Sequence, residues 1–401
     1  MAPDRHIKRR ILVLHNSYQS RGGEDAVVAA ETALLRQAGH SVHLEIVSND
    51  SITGFTAKTA AFLNAPDDHR RKRWMDALLR RTGAELVHIH NFFPLLTPAV
   101  HEAAAERGVA VVQSLHNYRL LCAGALLLRD GQICEKCLGG SAAWGVVHRC
   151  YRNSLPGSLA IARMQHRARR EATWHRHVHR FIVMTEFARQ KFTAGGLPAT
   201  KLAVKPNFTA PAPHEEIPRS GALFVGRLSP EKGVAVLLAA WRQLPRIALT
   251  IVGDGPERLR LEAEAPPNVT FIGALSPDAV RTRMLAAQCL VLPSLSYEGF
   301  PLTIVEAFAA GLPVLASGHG AMNEIITDGI NGRTFSPGNP QALAEAVRSA
   351  FGNLAALPAM GQAARRTYDA LYTPGANLLR LEAIYADALA EIGRNGDRPP
   401  S

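Results

Sequence analysis

Residues 289–317 read "CLVLPSLSYEGFPLTIVEAFAAGLPVLAS". "CLVLPS" is an apolar run that suits a buried strand, and "LSYEG" is a loop. The pattern predicts a helix from about Pro301, since proline is at home in a first helical turn, to Gly311, a natural stop. "PVLAS" is a second strand. Strand, helix and strand in this order form a parallel crossover, the building unit of α/β sheets. Glu298 and Glu306 stand in this unit with seven residues between them. Glu298 falls just before the helix, where the free N–H groups of "GFPL" make an anion site. Glu306 falls about two turns along, among Val305, Ala307 and Phe308. A carboxylate in that company costs free energy unless it is hydrogen-bonded. A pair of sugar hydroxyls would satisfy it; the plainer reading is a surface glutamate on an amphipathic helix.

The same alternation extends along the whole chain. "RILVLHN" (10–16) is a buried strand, and "EDAVVAAETALLRQAGH" (24–40) is a helix with acids in its first turn and Gly39 as its stop. "SVHLEIVSN", "AELVHIHN" and "VAVVQSLHN" are further strands. Each ends in Asn, and two end in His-Asn, at 90–91 and 116–117. In open parallel sheets ligands lie beyond the carboxyl ends of strands, so these residues point to a site, although any one would also cap a turn. "KPNFTAPAPHEEIPRSG" (205–221) is Pro-rich and aperiodic, and reads as a linker. Beyond it the alternation restarts with "ALFVGRL", "IALTIVGDG" and "VTFIGA". The expected fold is therefore α/β, with two Rossmann-like domains. Residues 1–205 form the first, with 118–157 read as an inserted loop region. Residues 206–372 form the second, and a closing helix at 373–401 is expected to return to the first.

Glu-x7-Glu followed by "AAGLPV" resembles the retaining glycosyltransferases of family 4, also called glycosyl transferases group 1, which have the GT-B fold. "FVGRLSPEKGVAVLLAAW" (224–241), "LTIVGDGPERLRLE" (249–262), "ITDGINGRTFSPGNPQALAEAV" (326–347) and "RGGEDAVV" (21–28) resemble further family segments, so the likeness covers most of the chain. It implies two parallel-sheet domains facing across a cleft, and transfer of a sugar from a nucleotide-diphosphate sugar to an acceptor hydroxyl with retention. It also implies roles for particular residues. Arg227 and Lys232 would clamp the diphosphate, as two cations at a strand end and a helix start can. Glu298 would hydrogen-bond the donor sugar. Gly299, Phe300, Pro301 and Leu302 would offer backbone N–H groups, and Glu306 would hold the ribose. Gly22 and Gly23 would let backbone approach a phosphate or sugar. His116 would contact the donor sugar and help to organise catalysis, and Asn207 is carried with them. Asn117 stands where many relatives have an acid. No catalytic metal or other cofactor is implied, because Arg227 and Lys232 supply the positive charge. The expected acceptor is a sugar or lipid-linked glycan in bacterial polysaccharide or glycolipid assembly. An epimerase or phosphorylase on the same architecture is the alternative.

Composition sets the remaining limits. The 401 residues are 47% apolar and 20% charged, as in a globular protein of two ordinary domains. The basic N-terminus is followed by only four apolar residues, which reads as a first strand rather than a signal peptide, so a cytoplasmic protein is expected. The net charge of +11 favours anionic partners. Cys122, Cys134, Cys137 and Cys150, spaced C-x11-C-x2-C-x12-C, suit a structural zinc site, or else are four thiols. A basic helix is expected over 159–180, "LAIARMQHRARREATWHRHVHR". It suits peripheral contact with an anionic membrane, at the inner face, or else is a solvated face. No nucleic-acid recognition motif accompanies these charges.

Overall fold

The apolar runs become the strands of two parallel sheets, seen in a computed structural model that describes residues 8–18, 22–213 and 217–396. Arg21, residues 214–216 of the linker and the last residues, 397–401, lie outside the described residues. Chain contacts divide the molecule into two units. The first runs to Ala125, resumes at Glu135–Lys205 and includes the chain from Leu378 onward; the second is Leu126–Cys134 with Pro206–Asn377.

The first unit's strands are β1 (Arg10–Ser17), β2 (Ser41–Ser48), β3 (Leu86–Asn91) and β4 (Ala110–Ser114). Along the chain a small antiparallel hairpin of β5 (Leu128–Arg129) and β6 (Gln132–Ile133) follows, which groups with the second unit, and the first unit resumes with β7 (Arg180–Val183) and β8 (Leu202–Val204). The sheet order is β2-β1-β3-β4-β7-β8. β3 and β4 are buried throughout, which is why they read as continuous apolar runs, whereas the edge strand β2 is half exposed. The closing helix begins at Pro374. From Leu378 on it is held by His40 Nε2 on Glu382 at 3.0 Å and by a 2.8 Å hydrogen bond between the Tyr385 hydroxyl and His88.

The second unit's strands are β9 (Ala222–Val225), β10 (Leu249–Val252), β11 (Val269–Gly273), β12 (Cys289–Leu292), β13 (Val314–Ser317) and β14 (Gly332–Phe335), in the order β11-β10-β9-β12-β13-β14. In both sheets the order reverses beside the first strand. Those reversals lie between β1 and β3 and between β9 and β12, and ligands of open α/β sheets bind at the carboxyl side of such points. The helix after β12 is Leu302–Ala309 and buries Ile304, Val305, Ala307 and Phe308 completely. Each of the larger three contributes roughly 1.5–3 kcal/mol by that burial.

Three expectations need correction. The basic segment is two helices, Leu155–Arg170 and Thr173–His177, because Ala172 takes a left-handed φ of 52° that no helix continues through. The 118–157 insertion contains the β5–β6 hairpin and a helix at Ala143–Val147. Glu306 lies one turn into its helix, not two, because the helix starts only at Leu302.

Candidate functional site

Each unit carries some of the residues singled out in the sequence. In the second unit, Glu298 lies on the loop between β12 and its helix, and Lys232 ends a short 3-10 turn, Pro230–Lys232, after β9. The turn can reach that loop because Gly233 takes a φ of 69° and a Cβ there would stand 2.0 Å from the Pro293 carbonyl oxygen. Any other residue would push the two loops apart. The Leu295 N–H donates to the Glu231 carbonyl at 2.8 Å and closes the contact. The result is an ion pair: Lys232 Nζ lies 2.7 Å from Glu298 Oε1, and the Ser294 hydroxyl donates to the same oxygen at 2.6 Å. Burial pushes the Glu298 carboxyl up, but Lys232 and Ser294 outweigh it and hold it below its usual range. Burial likewise pushes Lys232 down, and Glu298 raises it by more.

Ser294 and His319 are residues that sequence reasoning missed. His319 Nε2 lies 3.0 Å from the Ser294 carbonyl oxygen, and its ring packs on Tyr297 with centroids 5.5 Å apart. These contacts fix the loop that carries Glu298. Arg227 stands exposed in the loop after β9, with its side chain outside the pair. The helix that follows has no side-chain cap, so its first N–H groups keep their donor capacity. Pro301 has no N–H and cannot donate as expected; Gly299, Phe300 and Leu302 can.

Glu306 faces a small cavity with Thr209, Ala212, Val280, Arg281 and Met284. Burial pushes its carboxyl up to about 7, partly countered by Arg281. Asn207 is buried, and its Oδ1 has no hydrogen-bond partner among the described residues.

In the first unit the strand ends gather histidines. The β1–β3 register shifts between Leu14 and His15, which sets His15 beside Asn91. His116 lies two residues past the end of β4, and its Nε2 is 3.0 Å from His90 Nδ1. Burial pushes His116 down to about 3 and His90 well below the ordinary imidazole range, so both rings are neutral at pH 7. Beneath them Lys205 and Glu31 form an ion pair with side-chain exposures of 0% and 2%. Sequence reasoning missed both, since a lone lysine at a strand end gives no sign of its burial. Asn16 and Asn91 tie strand ends together: the Asn91 amide donates to the Asn16 carbonyl at 2.6 Å, and that of Asn16 to Asn49 Oδ1 at 2.8 Å. Gly22 caps the helix Gly23–Gln37, and its N–H donates to Asp25 at 2.8 Å. A Cβ at Gly22 or Gly23 would meet nothing within 4 Å among the described residues, and Gly22 has a φ of −135°, so the fold itself does not require glycine there.

Among the described residues, the metal-capable cluster of ligand atoms within 4.8 Å of one another is Glu31, His88 and His90. The cysteines are not part of it: Cys122 and Cys137 are buried, Cys134 and Cys150 half-buried. The basic helix is also less open than its sequence suggests. Arg167 pairs with Asp67 at 2.8 Å and Glu171 at 2.7 Å, Arg169 donates to the Gly140 carbonyl at 2.6 Å, and Arg163 lies over Phe62.

Comparison with known proteins sets these parts in a family. The model of Glycosyltransferase Family 4 matches residues 9–212, just over half of the chain, and that of Glycosyl transferases group 1 matches residues 218–367. The chain belongs to glycosyltransferase family 4. Among its relatives is a glycogen synthase of Mycobacterium tuberculosis, 36% identical over 161 residues, which are 37% of this chain and 39% of the relative. A phosphatidyl-myo-inositol mannosyltransferase of Mycobacterium leprae is 31% identical over 218 residues, 51% of this chain and 58% of the relative. The matches thus span between about two fifths and three fifths of these family 4 relatives. Sucrose-phosphate synthase from Thermosynechococcus elongatus superposes with a TM-score of 0.71 at 20% identity, over 96% of this chain and 100% of that one. Anabaena HepE in complex with UDP-glucose does so with a TM-score of 0.67 at 16% identity, over 94% and 99%. At these identities the likeness shows the fold alone, and that fold is GT-B. Among the described residues, no helix is long and apolar enough to cross a membrane.

Proposed function

We propose that this family 4 chain is a retaining glycosyltransferase. It moves a sugar from a nucleotide-diphosphate sugar to an acceptor hydroxyl in bacterial polysaccharide or glycolipid assembly. The observation that carries the reading is the Glu298–Lys232–Ser294 centre at the sheet's reversal point, with the uncapped helix start beside it. Glu298, kept ionised by Lys232, accepts hydrogen bonds from the donor sugar. Lys232 and Arg227 stabilise the leaving diphosphate, and the N–H groups of Gly299, Phe300 and Leu302 add to that field. Glu306 accepts from the ribose, and Asn207 offers its unpartnered Oδ1 to the donor. Gly22 and Gly23 leave room for the ligand, and His116 contacts the donor sugar. The acceptor oxygen bonds to the anomeric carbon on the face that the diphosphate leaves. The carbon–oxygen bond to the diphosphate breaks, and the acceptor proton passes to a phosphate oxygen. That HepE has been captured with UDP-glucose supports a donor of this class.

The test is a panel of nucleotide sugars, first by thermal shift, since a bound donor stabilises the fold by mass action, then with acceptors and analysis of product stereochemistry. An inverted product, or turnover without any acceptor, would overturn this reading. Two further proposals stand apart from the reaction. Structural zinc on Cys122, Cys134, Cys137 and Cys150 rests on their spacing alone; metal-free protein of normal stability would reject it. Peripheral contact with anionic membrane rests on the exposed Arg163, Arg169 and Arg170; equal binding to neutral and anionic vesicles would reject it.

A further inference from the structure

A line of four side chains in the first unit ends at His116, the residue to which the proposed function gives donor contact. His90 Nδ1 and His116 Nε2 are 3.0 Å apart, and the rings lie edge to edge, with centroids 5.3 Å apart and 11° between their planes. Two neutral imidazoles at that distance share one proton, so one donates and the other accepts. The other nitrogen of His90, Nε2, is buried and has no hydrogen-bond partner among the described residues. Oε2 of Glu31 is likewise buried and unpartnered, and the two atoms face each other at 3.6 Å, just outside bonding distance. The other oxygen of Glu31 accepts from Lys205 Nζ.

We infer that Glu31 and Lys205, acting through His90, fix the tautomer of His116. A carboxylate can only accept, so Oε2 of Glu31 is satisfied when His90 carries its proton on Nε2. His90 Nδ1 then holds a lone pair, and His116 must donate to it from Nε2. His116 is left with Nδ1 as an acceptor, the form that takes a hydrogen bond from a sugar hydroxyl. Lys205 holds the carboxylate in place by donating to the opposite oxygen. These three are positioning residues; only His116 touches substrate. Glu31, His88 and His90 also have the spacing of a metal site. A cation fits poorly there, because Lys205 already lies on the carboxylate. Both nitrogens of His88 are also engaged at 2.8 Å, with Tyr385 and with Ser114.

The inference rests on the proposed function only for the purpose of the tautomer; the tautomer itself is measured without substrate. The 401-residue chain, labelled with 15N-histidine, is examined by long-range proton–nitrogen correlation, with the His116 signal assigned by its loss in His116→Asn. The wild type is expected to show His116 protonated on Nε2. Glu31→Gln reverses the chain: its carbonyl turns to Lys205 and its NH2 to His90, so His116 becomes protonated on Nδ1. His90→Phe leaves His116 in a mixture of both forms. With a working transfer assay, Glu31→Gln should lower kcat roughly tenfold, the worth of one hydrogen bond. A wild-type His116 protonated on Nδ1 overturns the inference, and needs no variant beyond the His116→Asn used for assignment. So does an unchanged tautomer in folded Glu31→Gln, or one equivalent of zinc lost with Glu31→Gln or His90→Phe. The expected tautomers in a protein that transfers no sugar would leave this inference standing and remove the proposed function.

Discussion

Two glutamate–lysine pairs, one in each unit, share their chemistry and differ in burial. Glu298 and Lys232 are 2.7 Å apart, with side-chain exposures of 14% and 29%. Glu31 and Lys205 are sealed at 2% and 0%. Removing one partner of a sealed pair strands a charge in a low-dielectric interior, where nothing replaces the lost interaction. Removing one partner of the open pair lets water solvate the other. The sealed pair is therefore committed to the fold and to the histidines above it. In the proposed function, a ligand's phosphate and hydroxyls compete for each member of the open pair. Burial, rather than residue type, separates the pair committed to the fold from the pair proposed for chemistry.

The largest effect that would sharpen this contrast is on stability. Lys205→Ala should cost about 3–5 kcal/mol, the range for breaking a buried pair. Lys232→Ala should cost about 1 kcal/mol or less. Urea unfolding measures both; equal losses would break the contrast. The order reverses for catalysis. Lys232→Ala or Arg227→Ala should each remove about 2–4 kcal/mol of transition-state stabilisation, read from kcat/KM in steady-state assays. Normal rates in both would put the diphosphate elsewhere.

A smaller effect follows from Glu306, which has no lysine. Its carboxyl titrates at about 7 because burial raises it. The folded state therefore holds this proton more tightly than the unfolded chain does, and stability from this group falls as pH rises from about 4.5 toward 7. Donor affinity should move the other way, since the ionised form is the better acceptor for ribose hydroxyls. KM for the donor should fall as pH rises through 7, and Glu306→Gln should flatten that profile. A wild-type profile that is already flat would remove Glu306 from the donor site.

Much of this was legible in the sequence because parallel strands buried on both faces announce themselves as apolar runs. The segment from Cys289 to Ser317 reads as strand, loop, helix and strand, and the structure has that order; the Glu-x7-Glu spacing marked the two carboxylates of the proposed site. What escaped reading depends on distance along the chain. Lys232 reaches Glu298 across 66 positions, and Lys205 reaches Glu31 across 174. No local period encodes such pairs. Ser294 was within sight, four residues before Glu298, but its hydroxyl matters only once the loop is closed by Gly233 and His319. In the basic helix a run of arginines reads as uniformly exposed charge, while the structure pairs Arg167 with Asp67 and Glu171.

The most direct measurement is acceptor-dependent release of nucleoside diphosphate from a nucleotide sugar, compared between wild type and Glu298→Ala, with the urea midpoint of each determined alongside. The account predicts that wild type releases diphosphate only with acceptor, and that the variant loses release while its midpoint moves little. Wild-type turnover in a folded Glu298→Ala protein would contradict it.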